Sequence, residues 1–314
     1  MAICEFIVNW AGGVPATALP YALAALGLIV SERAGVLNLT AEGLLLVGAL
    51  AGIGASLAIA DRPWVALPAA VLAAMAVGLL FAGLVVLLRV NQVIAGLAVV
   101  FFCQGLTSLL GTLAEWQNHP ISGLGKLIVW PLSELPAGTH ALFQQDGLVY
   151  ALLPIFYGVH RVLFKSMTGL RLRAVGEAPE AADSAGLGVT RYRVLAVVAG
   201  SALIGLAGGY LAVGGTKMWF GGMTGGRGWI AVALVIFARW RPWRALFGAL
   251  LFGCIESMVP RIAAAGISVP QYFILMTPYL VTIAVMVWAG RGKGGADLDE
   301  PGALGRPHVR EERR

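Results

Sequence analysis

Two short sets of polar residues lie against long apolar runs: Asn38, Thr40 and Glu42 in one place, Thr224, Arg227 and Trp229 in another. Their chemistry suits a small hydrogen-bonding solute. The Glu42 carboxylate accepts from hydroxyl or amine groups, and Asn38 both donates and accepts. The two threonines add hydroxyls, and Arg227 adds one fixed cation. Trp229, with Trp219 and Phe220 nearby, offers faces on which a ring could stack. These six residues are the candidate translocation path. Each has a structural alternative. Glu42 can cap a helix N-terminus, where the dipole favours a carboxylate. Asn38 can satisfy backbone freed by a helix break. Tryptophan is common at membrane interfaces. Arg227 at a helix N-terminus opposes the dipole, so solvent, Glu42 or a ligand must compensate it. With a single arginine and no Lys/Arg cluster, the set is poorly equipped for a phosphate. It fits neutral solutes better.

Other reactive groups are scattered. Cys4, Cys103 and Cys254 form no CxxC pair, and His119, His140, His160 and His308 do not cluster, so no catalytic centre or metal site is expected. No GxxxxGK[ST] loop is present, so any ATP must be hydrolysed on another polypeptide. The chain needs no cofactor of its own.

The elements that position these residues are membrane helices. Of the 314 residues 59% are hydrophobic and 12% charged, and the mean hydropathy is +0.83. A soluble domain carries about 25% charge. The net charge of +6 does not point to nucleic acid, because the basic residues punctuate apolar spans. No cleavable signal peptide is expected, since Glu5 stands where a basic region would be. Apolar runs predict spans at 14–30, 43–60, 64–88, 93–113, 147–164, 194–214, 243–259 and 273–289. Trp229 to Ala238 is bounded by Arg227 and Arg239. At 1.5 Å per residue it covers roughly 15 Å, half a bilayer, and reads as a half-helix. The fold class is all-α: a polytopic integral membrane protein of about eight spans plus a half-helix, in two pseudo-repeats. The repeat rests on Thr40-Ala-Glu42-Gly43 and Thr224-Gly-Gly-Arg227-Gly228, which open oppositely directed runs. Glu42 and Arg227 are therefore expected at similar depth. Glu256, in a span, needs a partner: Arg261, about one turn away, or a group across a subunit interface. Asn91-Gln92 is expected to cap the helix it opens. Gly48 with Gly52, and Gly205 with Gly209, have the spacing of close helix packing.

Lysine and arginine set the orientation. With the N-terminus outside and the C-terminus in the cytoplasm, only Arg62, Lys126, Lys217, Arg227 and Arg261 fall outside. Residues 1–290 then form the transmembrane domain, with an external loop at 114–146 and a cytoplasmic loop at 165–193. Residues 291–314 read as a disordered cytoplasmic tail. Within the cytoplasmic loop, Pro179 suits the first turn of a short helix, Glu180 and Asp183 its N-terminal end, and Gly186 or Gly188 its close. Such an Ala-lined helix could seat in another protein's groove, or be a plain charged connection.

Ser31-Glu-Arg-Ala-Gly-Val-Leu-Asn-Leu-Thr-Ala-Glu-Gly43, followed by Gly48-Ala49, resembles the signature of ABC importer permeases of the nucleoside and simple-sugar type, within the branched-chain amino-acid and ribose permease superfamily. Arg173-Ala-Val-Gly176-Glu177 with Ala181-Ala182 and Ala185-Gly186 is similar to that group's coupling loop. Gly226-Arg-Gly-Trp229-Ile-Ala231-Val-Ala233, Arg239-Trp-Arg-Pro242 and Pro278-Tyr279 match further blocks, so the resemblance covers roughly residues 15–290. Thr40 departs from it, where the group more often has Gly. The resemblance implies a transport subunit without enzymatic activity, in a bacterial plasma (inner) membrane. Its implied partners are two ATP-binding subunits, a second homologous permease in a heterodimer, and an external substrate-binding lipoprotein or periplasmic protein. It implies Arg173, Gly176, Glu177, Ala181, Ala182 and Gly186 as the ATPase-coupling residues. The substrate class it implies is nucleosides or related purine and pyrimidine compounds. A simple sugar is the alternative, and an ion-coupled secondary transporter a more distant one.

Overall fold

The computed structural model describes residues 3–59, 62–128, 144–264 and 300–307, with a few isolated positions between 276 and 287. Its elements are helices α1 (Ile3–Glu32), α2 (Ala41–Ala58), α3 (Pro63–Ala82), α4 (Gln92–Leu113), α5 (Gly147–Lys165), α6 (Met167–Glu177), α7 (Pro179–Ser184), α8 (Val189–Tyr210), α9 (Arg227–Ala238) and α10 (Pro242–Ala264). One antiparallel ribbon, β1 (Lys126–Ile128) with β2 (Gln144–Asp146), lies in the loop before α5. Wide turns of π-helix, Gly83–Leu87 and Leu211–Thr216, prolong α3 and α8.

Among the described residues, six helices are long and apolar enough to cross a membrane: Ile7–Glu32, Ala41–Ala58, Pro63–Leu87, Gln92–Leu113, Gly147–Lys165 and Val189–Thr216. They match the first six expected spans. α10 covers the expected seventh in 23 residues. The eighth, 273–289, falls mostly outside the described residues. α9 is 12 residues long, so the half-helix begins at Arg227, two positions earlier than its apolar run.

The core is α1, α2, α3, α8 and α10, with α1 at its centre and buried over most of its length. Small residues set the spacing, since between apolar helices close backbone packing replaces the hydrophobic drive of water. A Cβ on Gly48 would lie 2.5 Å from the carbonyl oxygen of Gly205, and one on Gly27 would lie 2.4 Å from that of Gly200. Gly52 faces Gly209 in the same seam, its Cβ position 3.4 Å from the Gly209 Cα. Asn91 caps α4: its Oδ1 accepts from the Val93 and Ile94 N–H groups at 3.0 and 3.2 Å. Part of the external loop folds back, with Asn118 N–H donating to the Trp219 carbonyl at 2.8 Å and Ile121 N–H to that of Lys217 at 2.9 Å.

Of the expected tail, residues 300–307 are among the described residues. Residues 300–307 form a turn in which Pro301 and Ala303 are buried. Its composition suggests a solvated coil, but small Gly302 and Ala303 let its backbone reach the end of α6, where Ala303 N–H donates to the Gly176 carbonyl at 3.0 Å.

Candidate functional site

The N-terminus of α9 is built on three left-handed glycines, Gly222, Gly225 and Gly226, with φ of 71°, 53° and 83°. Gly226 occupies the capping position and has no side chain with which to cap. The first N–H groups of a helix lack intrahelical partners, and here they are met from across the molecule. Glu42 Oε1 accepts from Thr224 Oγ1 at 2.6 Å and from Gly226 N–H at 2.9 Å, while Oε2 accepts from Gly228 N–H at 2.7 Å. Glu42 is 4% exposed. Gly228 permits the approach, because a Cβ there would lie 2.3 Å from the Glu42 nitrogen. The N-termini of α2 and α9 thus meet head to head. The carboxylate between them suits both positive helix ends.

Asn38 and Thr40 support this junction. Asn38 Oδ1 accepts from Thr40 N–H at 3.0 Å and from Thr40 Oγ1 at 2.5 Å, and Asn38 Nδ2 donates to Ser31 Oγ at 3.3 Å. Both side chains are fully buried. Together they brace the extended stretch that leads into α2.

Arg227 is compensated, but not by Glu42. Its Nη2 donates to Glu256 in an ion pair, and its Nη1 donates to the Met223 and Thr224 carbonyls at 3.2 and 3.1 Å. Glu256 therefore pairs with Arg227 rather than with Arg261, its expected neighbour. α9 and α10 are antiparallel neighbours, so residues far apart in sequence face each other, while Arg261 lies beside Gly13 of α1. Trp229 stands apart from this cluster: it is 37% exposed. Trp219 is fully buried against Gly111 of α4. No stacking pair of these tryptophans forms.

The other end of α9 is held by the same segment that supplies Glu42. Arg239 and Trp240 both have left-handed backbone, with φ of 51° and 52°, a conformation uncommon for residues with a Cβ. Glu32 Oε2 accepts from Trp240 Nε1 at 2.5 Å, and Arg33 Nε and Nη2 donate to the Trp240 carbonyl, each at 3.2 Å. Gln92 adds a tie, its Oε1 accepting from Leu37 N–H at 2.7 Å. Trp240 and Gln92 are ties of this segment that hydropathy passes over. The signal for Trp240 lay in Arg239-Trp-Arg-Pro242, a turn between two apolar helices.

The expected coupling residues divide. α7 starts at Pro179 and closes at Gly186, whose φ is +81°. Glu177, Ala181 and Gly186 are exposed. Ala182 faces inward, against Val175 and Val189, with Leu187 and Tyr192 beside them. A helix this short is anchored by the one small side chain it turns inward. Arg173 lies over the Phe164 ring at 5.2 Å, and Arg33 lies over the same ring at 5.5 Å. Gly176 packs on the 31–43 segment, since a Cβ there would lie 2.2 Å from the Arg33 carbonyl oxygen. The α6–α7 pair and the 31–43 segment are thus in direct contact.

The sequence has known relatives. A putative glucose ABC transporter permease of Haloferax volcanii is 38% identical over 312 residues, spanning 92% of this chain and 94% of the relative. A guanosine ABC transporter permease of Bacillus subtilis is 32% identical, spanning 96% of this chain and 97% of the relative. A nucleoside ABC transporter permease of Lactococcus lactis subsp. cremoris is 31% identical, spanning 85% and 87%. No solved structure matches the chain. The family model described as branched-chain amino acid transport system / permease component matches residues 12–289. On that match the chain belongs to this family of transport permeases, as a membrane-spanning transport component and not an enzyme.

Proposed function

We propose that this chain is the permease subunit of an ATP-driven importer carrying nucleosides or related purine and pyrimidine compounds across a bacterial plasma membrane. ATP is hydrolysed on two partner subunits seated at the exposed face of α6 and α7. A second, homologous permease completes the transmembrane unit as a heterodimer. An external lipoprotein or periplasmic protein delivers the solute. The N-terminus lies outside and the C-terminus inside, following the distribution of Lys and Arg.

The observation that carries the substrate reading is the charge balance at the half-helix. Arg227 is neutralised by Glu256, and the Glu42 carboxylate is filled by three donors. The break therefore carries no unpaired fixed charge among the described residues, and its hydroxyl and N–H groups are themselves held by Glu42 and Asn38. A neutral solute crosses such a place at far lower cost than a phosphate. The guanosine and nucleoside permeases among the relatives support the same class. The glucose permease supports a second reading, a simple sugar, which is also neutral and rich in hydroxyls.

Uptake by the reconstituted complex tests this. Labelled guanosine should accumulate with ATP, be competed by other nucleosides and hardly by glucose, and be unaffected by guanosine monophosphate. Competition by glucose alone would move the assignment to the sugar reading. Equal accumulation of the monophosphate would overturn both.

A further inference from the structure

The turn at residues 300–307 occupies a particular joint. Ala303 N–H donates to the Gly176 carbonyl at 3.0 Å, and Gly302 N–H donates to Glu177 Oε2 at 3.3 Å. Arg193, at the start of α8, donates from Nη1 to the Arg306 carbonyl at 3.0 Å. The turn thus bridges α6 to α8 and meets one of the α6 carbonyls that no longer has an intrahelical partner. Gly35 marks the centre of the joint. Its φ is +83°, and a Cβ on it would lie 3.1 Å from Arg193 Nη2, 3.3 Å from the Ala303 carbonyl oxygen and 3.3 Å from the Gly176 Cα. Four elements meet there: the 31–43 segment, α6, α8 and the C-terminal turn.

We propose that residues 300–307 are a latch that fastens α6–α7 to the 31–43 segment, and that ATP hydrolysis drives transport efficiently only while it is fastened. A displacement of α6 is passed through the contact of Gly176 with Arg33. Arg33 holds the Trp240 carbonyl, and so the end of α9. The latch keeps α6 seated on that contact. It is also releasable. Arg193 is 2% exposed, yet its Nε and Nη2 have no partner among the described residues. A buried cation with unmatched donors is costly, so the fastened state holds little stability in reserve. The segment is tied by a few hydrogen bonds, as elements that open locally are.

This inference rests on α6–α7 being the surface that receives the ATP-binding subunits. The test uses the complete transporter in proteoliposomes, with the permease intact, ended after Asp299, or carrying Ala303→Asp, which puts a charge where a buried methyl sits. Each version also carries Ala181→Cys for cross-linking to the ATP-binding subunit. The latch predicts that all three assemble and cross-link. It also predicts that solute transported per ATP falls about tenfold in both altered versions, within the usual span of coupling effects. Cross-linking retained with an unchanged ratio would overturn the latch while leaving the receiving surface intact. Cross-linking lost only in the altered versions would make the turn a docking contact, not a latch. Cross-linking absent even with the intact chain would overturn the receiving surface, and the latch with it.

Discussion

The two ends of α9 are held by one short segment, but by different means. At the N-terminal end the Glu42 carboxylate reaches main-chain N–H groups of Gly226 and Gly228. At the C-terminal end Glu32 and Arg33 grip the side chain and carbonyl of Trp240. The first grip needs side chains to be absent, and the second needs one particular side chain to be present. The N-terminal end should therefore be intolerant of size, and the C-terminal end of changed chemistry. The difference suits their places: a helix N-terminus presents N–H groups to an anion without help, whereas a left-handed turn must be held there.

The largest effect should come from size at the N-terminal end. Gly228→Val places atoms where the Glu42 backbone already stands, 2.3 Å from a Cβ position. α2 and α9 must then separate, leaving the carboxylate and two N–H groups buried without partners. Each unmatched group costs about 1–3 kcal/mol, so folded protein recovered after membrane extraction should fall steeply. Normal yield and normal uptake would show that the ends are not in contact.

A smaller effect is expected at the other end. Trp240→Phe keeps the ring's bulk and removes the donor to Glu32, at a cost of about 1–3 kcal/mol if the carboxylate is left unmatched. Thermal unfolding in detergent should move to lower temperature, less than for Gly228→Val. The main-chain hold by Arg33 persists, which is why the loss is partial. An effect as large as that of Gly228→Val would mean the two ends are not specified in different ways.

Much of this arrangement was legible in the sequence. Hydropathy located the helices of the first seven expected spans, α1 to α5, α8 and α10, because a span must be apolar over its whole length. The half-helix was legible because Arg227 and Arg239 bracket a run too short to cross. That Glu42 caps a helix was one of its two readings, though the helix it caps most fully is α9, not its own. What the sequence withheld are partner choices. Arg227 pairs with Glu256, 29 positions away, and which carboxylate an arginine finds depends on how two helices are rotated. Ala182 points inward for the same kind of reason. The docking of 300–307 was hidden because the turn contributes only main-chain groups to its hydrogen bonds, and these leave no trace in composition. Left-handed Trp240 is a tertiary conformation that its residue type disfavours.

The central claim is that the 31–43 segment clamps α9, with the Glu42 carboxylate as the principal contact. A double-mutant cycle on Glu42 and Thr224, whose side chains meet at 2.6 Å, tests it most directly. Glu42→Ala, Thr224→Val and the pair together would be compared by unfolding free energy in mixed micelles. The clamp predicts that the double change costs less than the sum of the singles, with a coupling energy of about 1–3 kcal/mol, in the upper part of the range for residues in contact. Additive losses, within about 0.5 kcal/mol, would contradict it.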